Sequence, residues 1–387
     1  MRAILKWGIR IVLALVIAAA VVGVWKREEL TRLLAVNSLF DADRIVTNFS
    51  NMESAFLTRP VSRGDGPVVD LPRGSGAELP NDASDWITDF NLTSLLVMKS
   101  GAIVYEDYYL GTTPDDRRIS WSIAKSYISA LFGTAVAEGL IDLDAPVTQY
   151  APELKGGAYD GATVRNVLQM SSGVVFDEDY LDPDSDINKM GRVLALGGLM
   201  DDFAAALKDR EATPGERFKY VSIDTHVVGM ILRGATGRDV PDLMSERIIA
   251  RLGQEQDATY VTDGAGVAFV LGGLNITTRD YARFGQMILQ DGEWQGEQII
   301  PADWIAESTA PSALTAPGQM RYGYQWWMPE DAPDGIFLGR GIYGQFLYID
   351  RNSDVVIVVT AADRKFREPG RLDANIDIMR RIAESLN

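Results

Sequence analysis

The sequence predicts an α+β fold (a mixed α/β chain): one antiparallel sheet flanked by helices, with an all-helical lobe inserted into it. Two pairs of apolar runs lie towards opposite ends of the chain, Leu92 to Val97 with Ile103 to Leu110, and Gln345 to Ile349 with Val355 to Thr360. Short polar turns join each pair, Lys99-Ser100-Gly101 in the first and Asp350-Arg351-Asn352-Ser353 in the second, so both read as β-hairpins. The residues between the pairs carry mostly helical patterns. Strands from both ends with helices between them are most simply placed in one sheet that the helices interrupt.

Taken in order, the chain begins with Arg2, Lys6 and Arg10, then an apolar run from Ile11 to Trp25, then Lys26 and Arg27. A basic flank and an apolar core of this length read as a secretory signal or a signal anchor. The small residues Ala18, Ala19 and Ala20 sit inside the run, with Val21, Val22 and Val24 beyond them, which favours an uncleaved anchor over residues 1–30. The domain that follows would then lie outside the cytoplasm, in the periplasm if the source is Gram-negative. Residues 31–90 are rich in Pro, Gly and Asp and read as an extended lead-in over the surface. The main domain is expected over 91–387, with the helical lobe at roughly 145–320. Its best helix starts at Ser122 and stops at Gly139, a C′ glycine. Further helices are expected at Thr163 to Met170, Ile223 to Thr236, Thr278 to Gln290 and residues 372 to 386.

Composition excludes several function classes. A formal net charge of -17 argues against a nucleic-acid partner, because phosphate binding needs a positive face. It has no cysteine and one histidine, His226. A zinc site without cysteine usually draws on two or three imidazoles, so a histidine-based metal site is not expected; no cofactor is called for either. A histidine-dependent triad would have to use His226. The sequence is silent on oligomeric state.

Three short elements carry the chemistry. Ser122-Ile123-Ala124-Lys125 opens the best helix, and a spacing of three puts the serine and lysine on one face. The helix N-terminus favours negative charge at the serine oxygen, and a lysine stripped of water has a lowered pKa and accepts a proton near neutral pH. Alone, such a pair is usually an exposed serine beside a solvated lysine. Tyr220-Val221-Ser222 follows a turn, Thr213-Pro214-Gly215-Glu216, and precedes a helix; a tyrosine beside Lys125 would relay a proton. The bland alternative is a packed tyrosine. Gly339-Arg340-Gly341-Ile342-Tyr343-Gly344 lies directly before the C-terminal hairpin, where glycines let a backbone approach a substrate. It reads equally as a tight turn.

These elements, in this order and spacing, resemble the serine β-lactamase and penicillin-binding-protein superfamily. The resemblance is closest to its class C β-lactamase-like branch, which includes esterases and 6-aminohexanoate-dimer hydrolases. It extends over Asp142 to Leu154, Thr163 to Gly173, Tyr220 to Gly237, and Gly272-Gly273-Leu274 with Asp280 to Gly285, so it runs from about Leu92 to the C-terminus. It implies a β-lactamase/transpeptidase-like fold and a serine hydrolase in which Ser122 is acylated while Lys125 and Tyr220 move protons. The oxyanion donors implied are the backbone N–H groups of Ser122 and Ile342, the residue after Gly341, with Gln345 as the alternative and Gly344 completing the motif. His226 falls where the family usually has an aromatic residue.

The departures shape the substrate expectation. Ser222 stands where lactamases and peptidases often have asparagine, and the third motif lacks the lysine that binds a substrate carboxylate, with Arg340 close by instead. This argues for small esters or linear amides over β-lactams. In the aminohexanoate group an acidic loop lies near the substrate amine, which makes Tyr180, Asp184 and Asp186 candidate specificity residues here, alongside Ser222, Arg340 and Tyr343. A solvated loop is the competing reading. Tyr324, Trp326 and Trp327 either line the cleft or belong to the core. The rival functions are a D,D-peptidase or β-lactamase, a catalytically silent binding or sensor protein, and a histidine-triad esterase; the last would need glycines around Ser122 that Trp121 and Ile123 do not supply.

Overall fold

The computed structural model describes Arg2–Asn387; the side chains of residues 2–5 and of Ala19, Ala20 and Val22 lie outside what it describes. The apolar N-terminal run forms helix α1 (Arg2–Trp25). Its stretch Lys6–Trp25 has mean hydropathy 2.4, is not buried by the rest of the chain, and is long and apolar enough to cross a membrane, a character that signal sequences share. One residue, Lys26, separates it from α2 (Arg27–Asn37), whose first-turn Glu28 and Glu29 suit the positive end of the helix.

The stretch expected to run extended over the surface instead builds α3 (Ile45–Asn48), β1 (Leu57–Val61) and α4 (Ala83–Asp89). Leu39, Ile45, Phe49, Met52 and Phe56 are buried there. Its elements are short and turn sharply, so the apolar residues keep no regular period and the sequence pattern hides them.

Strands β2 (Leu92–Lys99) and β3 (Ala102–Tyr108) form the first expected hairpin, turning at Gly101 with φ +77°. After β4 (Arg118–Ile119) come the helices α5 (Ala124–Ala137), α6 (Val164–Leu168), α7 (Asp186–Ala195), α8 (Met200–Ala206), α9 (Ser222–Thr236) and α10 (Val240–Arg247). The chain then runs through β5 (Ala258–Thr262), β6 (Leu274–Ile276), α11 (Thr278–Leu289), β7 (Glu293–Trp294), β8 (Glu297–Gln298) and α12 (Ala302–Ser308). It closes with β9 (Arg321–Tyr322), β10 (Trp327–Met328), β11 (Ile336–Gly341), β12 (Gln345–Asp350), β13 (Val355–Ala361) and α13 (Arg371–Ser385).

The two ends meet in one seven-stranded antiparallel sheet of order β3-β2-β13-β12-β11-β10-β9. Both faces of its centre are covered, so the strands read as continuous apolar runs. Leu95, Val97, Phe346, Tyr348, Ile357 and Val359 pack with Trp86 of α4 and Ile378 and Ile382 of α13. The alternate residues Leu96, Met98, Leu347, Ile349, Val356 and Val358 face the larger core that holds α5, α9 and α11. A second sheet, β1-β5-β6-β4, draws its outer strand β1 from the N-terminal segment. Helix α5 is buried almost all round, as its lack of a polar stripe requires.

Candidate active site

Ser122 does not open α5 as expected. It sits in a 3₁₀ turn, Trp121–Ile123, directly before that helix. Trp121 holds a left-handed φ of +43°, a conformation costly for a bulky residue and maintained by its surroundings. Those are aromatic: Trp121 lies 5.4 Å from Phe49 and 5.9 Å from Phe40, centroid to centroid. The N-terminal segment therefore braces the residue that aims Ser122.

Lys125, one turn on, is buried. Its Nζ donates to Ser122 Oγ at 3.1 Å and to the carbonyl of Leu271 at 2.6 Å. Burial drives the amine down to about 7 from its ordinary 10.5, and the Glu178 carboxylate opposes that shift. A neutral amine at physiological pH is what a proton acceptor for a serine requires.

Tyr220 closes over this pair, its ring centroid 5.4 Å from Lys125 Nζ. Loss of hydration raises its phenol, the charge of Glu178 raises it further, and Ser122, Arg340 and Ser222 pull it back. The ring lies 5.2 Å from Trp327, and the Arg340 guanidinium sits 5.5 Å from that same indole. Trp327 thus borders the site, whereas Tyr324 and Trp326 are core.

Glu178 is the residue that the sequence motifs do not single out. Its carboxylate accepts the Ser222 backbone N–H at 2.9 Å, the Ser222 hydroxyl, and the Tyr180 hydroxyl. It serves as a cap supplied from another segment at the N-terminus of α9, which has none of its own. In doing so it fixes the backbone two residues after Tyr220. Among Asp177, Asp179, Asp182, Asp184 and Asp186 it has no distinguishing local signal; the contact is tertiary.

The third motif forms the end of β11 and the turn into β12. At Gly341 a Cβ would lie 2.6 Å from the Ser120 carbonyl oxygen and 3.0 Å from Trp121 Cβ, so only glycine lets this strand end reach the nucleophile turn. The backbone N–H of Ile342 forms no hydrogen bond among the described residues. Gln345 instead spends its side chain on structure, with its amide donating to the carbonyls of Ile342, Tyr343 and Ala361. Gly344, at φ +86°, completes the turn.

A cavity of about 340 Å³ opens beside Ser122, and Tyr180, Ser222 and Ile342 share its wall. Arg340, over Trp327, does not line it, and three further candidates are placed elsewhere. Tyr343 is buried in the aromatic cluster, stacked 4.8 Å from Phe40, because its left-handed φ of +60° turns it away from the cleft. Asp184 and Asp186 do not line the cavity; Asp186 accepts the Asp177 N–H and pairs with Lys189 at 3.0 Å.

His226 is buried on α9, with Nε2 2.8 Å from Asp201 Oδ1, and the same oxygen accepts Arg233 at 2.6 Å. That carboxylate is held down at about 2, its burial outweighed by His226 and Arg233. The imidazole belongs to the α8–α9 packing. His226→Ala is expected to leave kcat/KM within about threefold and to cost about 1–3 kcal/mol of stability through the lost buried hydrogen bond. A kinetic and thermal-melt comparison checks this; a large rate loss at unchanged melting would contradict it.

A serine with a buried amine on one helix end, a tyrosine closing over both, and a glycine strand end beside them define the class. Residues 90–378 match the family model for Beta-lactamase, and the chain belongs to that family. It is 32% identical over 325 residues to the 6-aminohexanoate-dimer hydrolase of Paenarthrobacter ureafaciens, covering 80% of each chain. A Bacillus anthracis protein named as a candidate 6-aminohexanoate-dimer hydrolase superposes with a TM-score of 0.78 at 26% identity, over 90% of this chain and 96% of that one. EstCE1, a hydrolase with promiscuous acyltransferase activity, shares the fold at a TM-score of 0.60 and 14% identity, over 78% of this chain and 96% of its own. The expected β-lactamase/transpeptidase-like fold is the observed one, and the chain is a hydrolase of that fold.

Proposed function

We propose that the chain cleaves small esters or linear amides through an acyl-enzyme on Ser122. The observation that carries this reading is the 3.1 Å contact between Ser122 Oγ and an amine that burial brings to about 7. Neutral Lys125 takes the hydroxyl proton as Ser122 attacks the carbonyl carbon. Negative charge gathers on the carbonyl oxygen and is met by the backbone N–H groups of Ser122 and Ile342. Tyr220, beside Lys125 and Ser122, delivers a proton to the departing alcohol or amine and recovers one from Lys125, and the ester bond to Ser122 remains. Water then attacks that ester, the same groups return the proton, and the acid leaves.

The test is hydrolysis by the full-length chain of p-nitrophenyl butyrate, a linear aminohexanoate dimer and nitrocefin, each against Ser122→Ala. Ser122-dependent ester or amide turnover supports the reading. Nitrocefin cleavage alone moves the protein to β-lactams, and no turnover favours a binding role.

Glu178 enters this mechanism as a positioning residue that also sets the charge around Lys125. Glu178→Gln keeps the shape and removes the charge that holds the amine up. The acid limb of the kcat/KM profile is expected to move to lower pH. A limb that stays in place would reduce Glu178 to a helix cap.

A further inference from the structure

We propose that the acyl group this enzyme accepts is an uncharged alkyl chain, housed in the cavity beside Ser122. This rests on the serine-hydrolase reading above and adds its acyl specificity. The cavity, about 340 Å³, lies within the size range of small-ligand pockets. Ser122 forms part of its wall, so the carbonyl under attack sits at the cavity's edge, and the acyl chain is assigned to its interior. Leu39, Phe40, Met52 and Phe56 of the N-terminal segment line one part, and Ile187 and Leu194 of α7 another.

Among the described residues no aspartate or glutamate lines this space, and its one charged side chain is a cation, Arg192, whose Nη1 donates to the Pro183 carbonyl at 2.6 Å. Glu178 touches two wall residues, Ser222 and Tyr180, but three donors already occupy its carboxylate. A terminal ammonium on the acyl chain would surrender hydration there with no carboxylate in the wall to replace it. An alkyl chain of the same length gains by leaving water. This cavity therefore favours hexanoyl over 6-aminohexanoyl groups.

The position of the cavity fits an apolar substrate. Val36 and Asn37 line it, and they follow Trp25, the end of α1, by no more than a dozen residues of mostly helical chain, or about 18 Å. Leu34 and Leu181 are exposed nearby, at 70% and 67%. A bilayer crossed by α1 would thus hold this part of the cavity wall on a short tether.

The test uses the full-length chain in phosphatidylcholine vesicles. It compares p-nitrophenyl acetate, butyrate, hexanoate and octanoate, and separately ethyl hexanoate with ethyl 6-aminohexanoate. Ser122→Ala is the background, and Gly191→Phe narrows the cavity: Gly191 lies on α7 in the wall, and a Cβ there meets nothing within 4 Å. Leu194→Trp replaces it if the first variant does not fold. A fully buried methylene is worth about fourfold, so kcat/KM is expected to rise at least about tenfold from acetate to octanoate. Ethyl hexanoate should exceed ethyl 6-aminohexanoate by about tenfold or more. Gly191→Phe should cut the octanoate-to-acetate ratio about tenfold; partition into lipid is common to both proteins, so that change reads the cavity. Acetate turnover with a flat length profile, an unchanged ratio in the narrowed variant, or equal use of the amino ester overturns the inference and leaves Ser122 hydrolysis standing. Absence of Ser122-dependent turnover on every ester overturns the hydrolase reading and this inference together.

Discussion

Ser122→Ala is expected to lower ester turnover by about 10⁴-fold or more, to the buffer rate, while melting within a few degrees of the wild type. The reason is chemical: alanine has no oxygen to form the acyl bond, and among the described residues no other serine or threonine hydroxyl bonds to Lys125 Nζ. The fold should tolerate the change, because Ser122 is only half-buried and its hydroxyl faces the site, where Lys125 bonds to it. Losing it leaves the amine its bond to the Leu271 carbonyl. Retained turnover would remove Ser122 from the mechanism.

The second large effect is at Lys125. Lys125→Ala is expected to cost about 10²–10⁴-fold in kcat/KM, the usual worth of a positioned general base. The wild-type profile should climb through pH of about 7, because below it the amine carries a proton and cannot take another. Stability follows the same group. The folded-state value of about 7 lies below the 10.5 of the free side chain, so the unfolded chain binds more protons between those values. Wild-type stability should therefore gain from pH 7 to about 10, and Lys125→Met should lack that gain. Melting curves of both proteins across this window check the sign; parallel curves would mean that the amine is not desolvated.

Much of the fold and of the site is legible in the amino-acid sequence. Both hairpins stand out because their strands are apolar and their turns polar, and α5 because Gly139 ends it. The three motif elements can be placed because each depends on local spacing: a serine and lysine one turn apart, a tyrosine before a helix, glycines at a strand end. What stays hidden depends on contacts across the chain. Phe40 and Phe49 carry no sign that they brace Trp121, and Glu178 looks like any other carboxylate in an acidic loop until Ser222 arrives from elsewhere. Tyr343 misleads the other way: its place in a motif suggests the cleft, and the backbone's left-handed turn sends it into the core. Asp184 and Asp186 suggest substrate contacts by their position in the loop, but the loop spends Asp186 on its own amide and on Lys189.

The reaction is expected to pass through a covalent bond to Ser122. Intact-mass analysis of the full-length chain after mixing with a fluorophosphonate ester, followed by peptide mapping, reads that bond directly. A single adduct on the peptide carrying Ser122, absent from Ser122→Ala and forming faster as pH rises through about 7, is the predicted result. Ester turnover with no adduct, or an adduct on another residue that forms equally in Ser122→Ala, would contradict it.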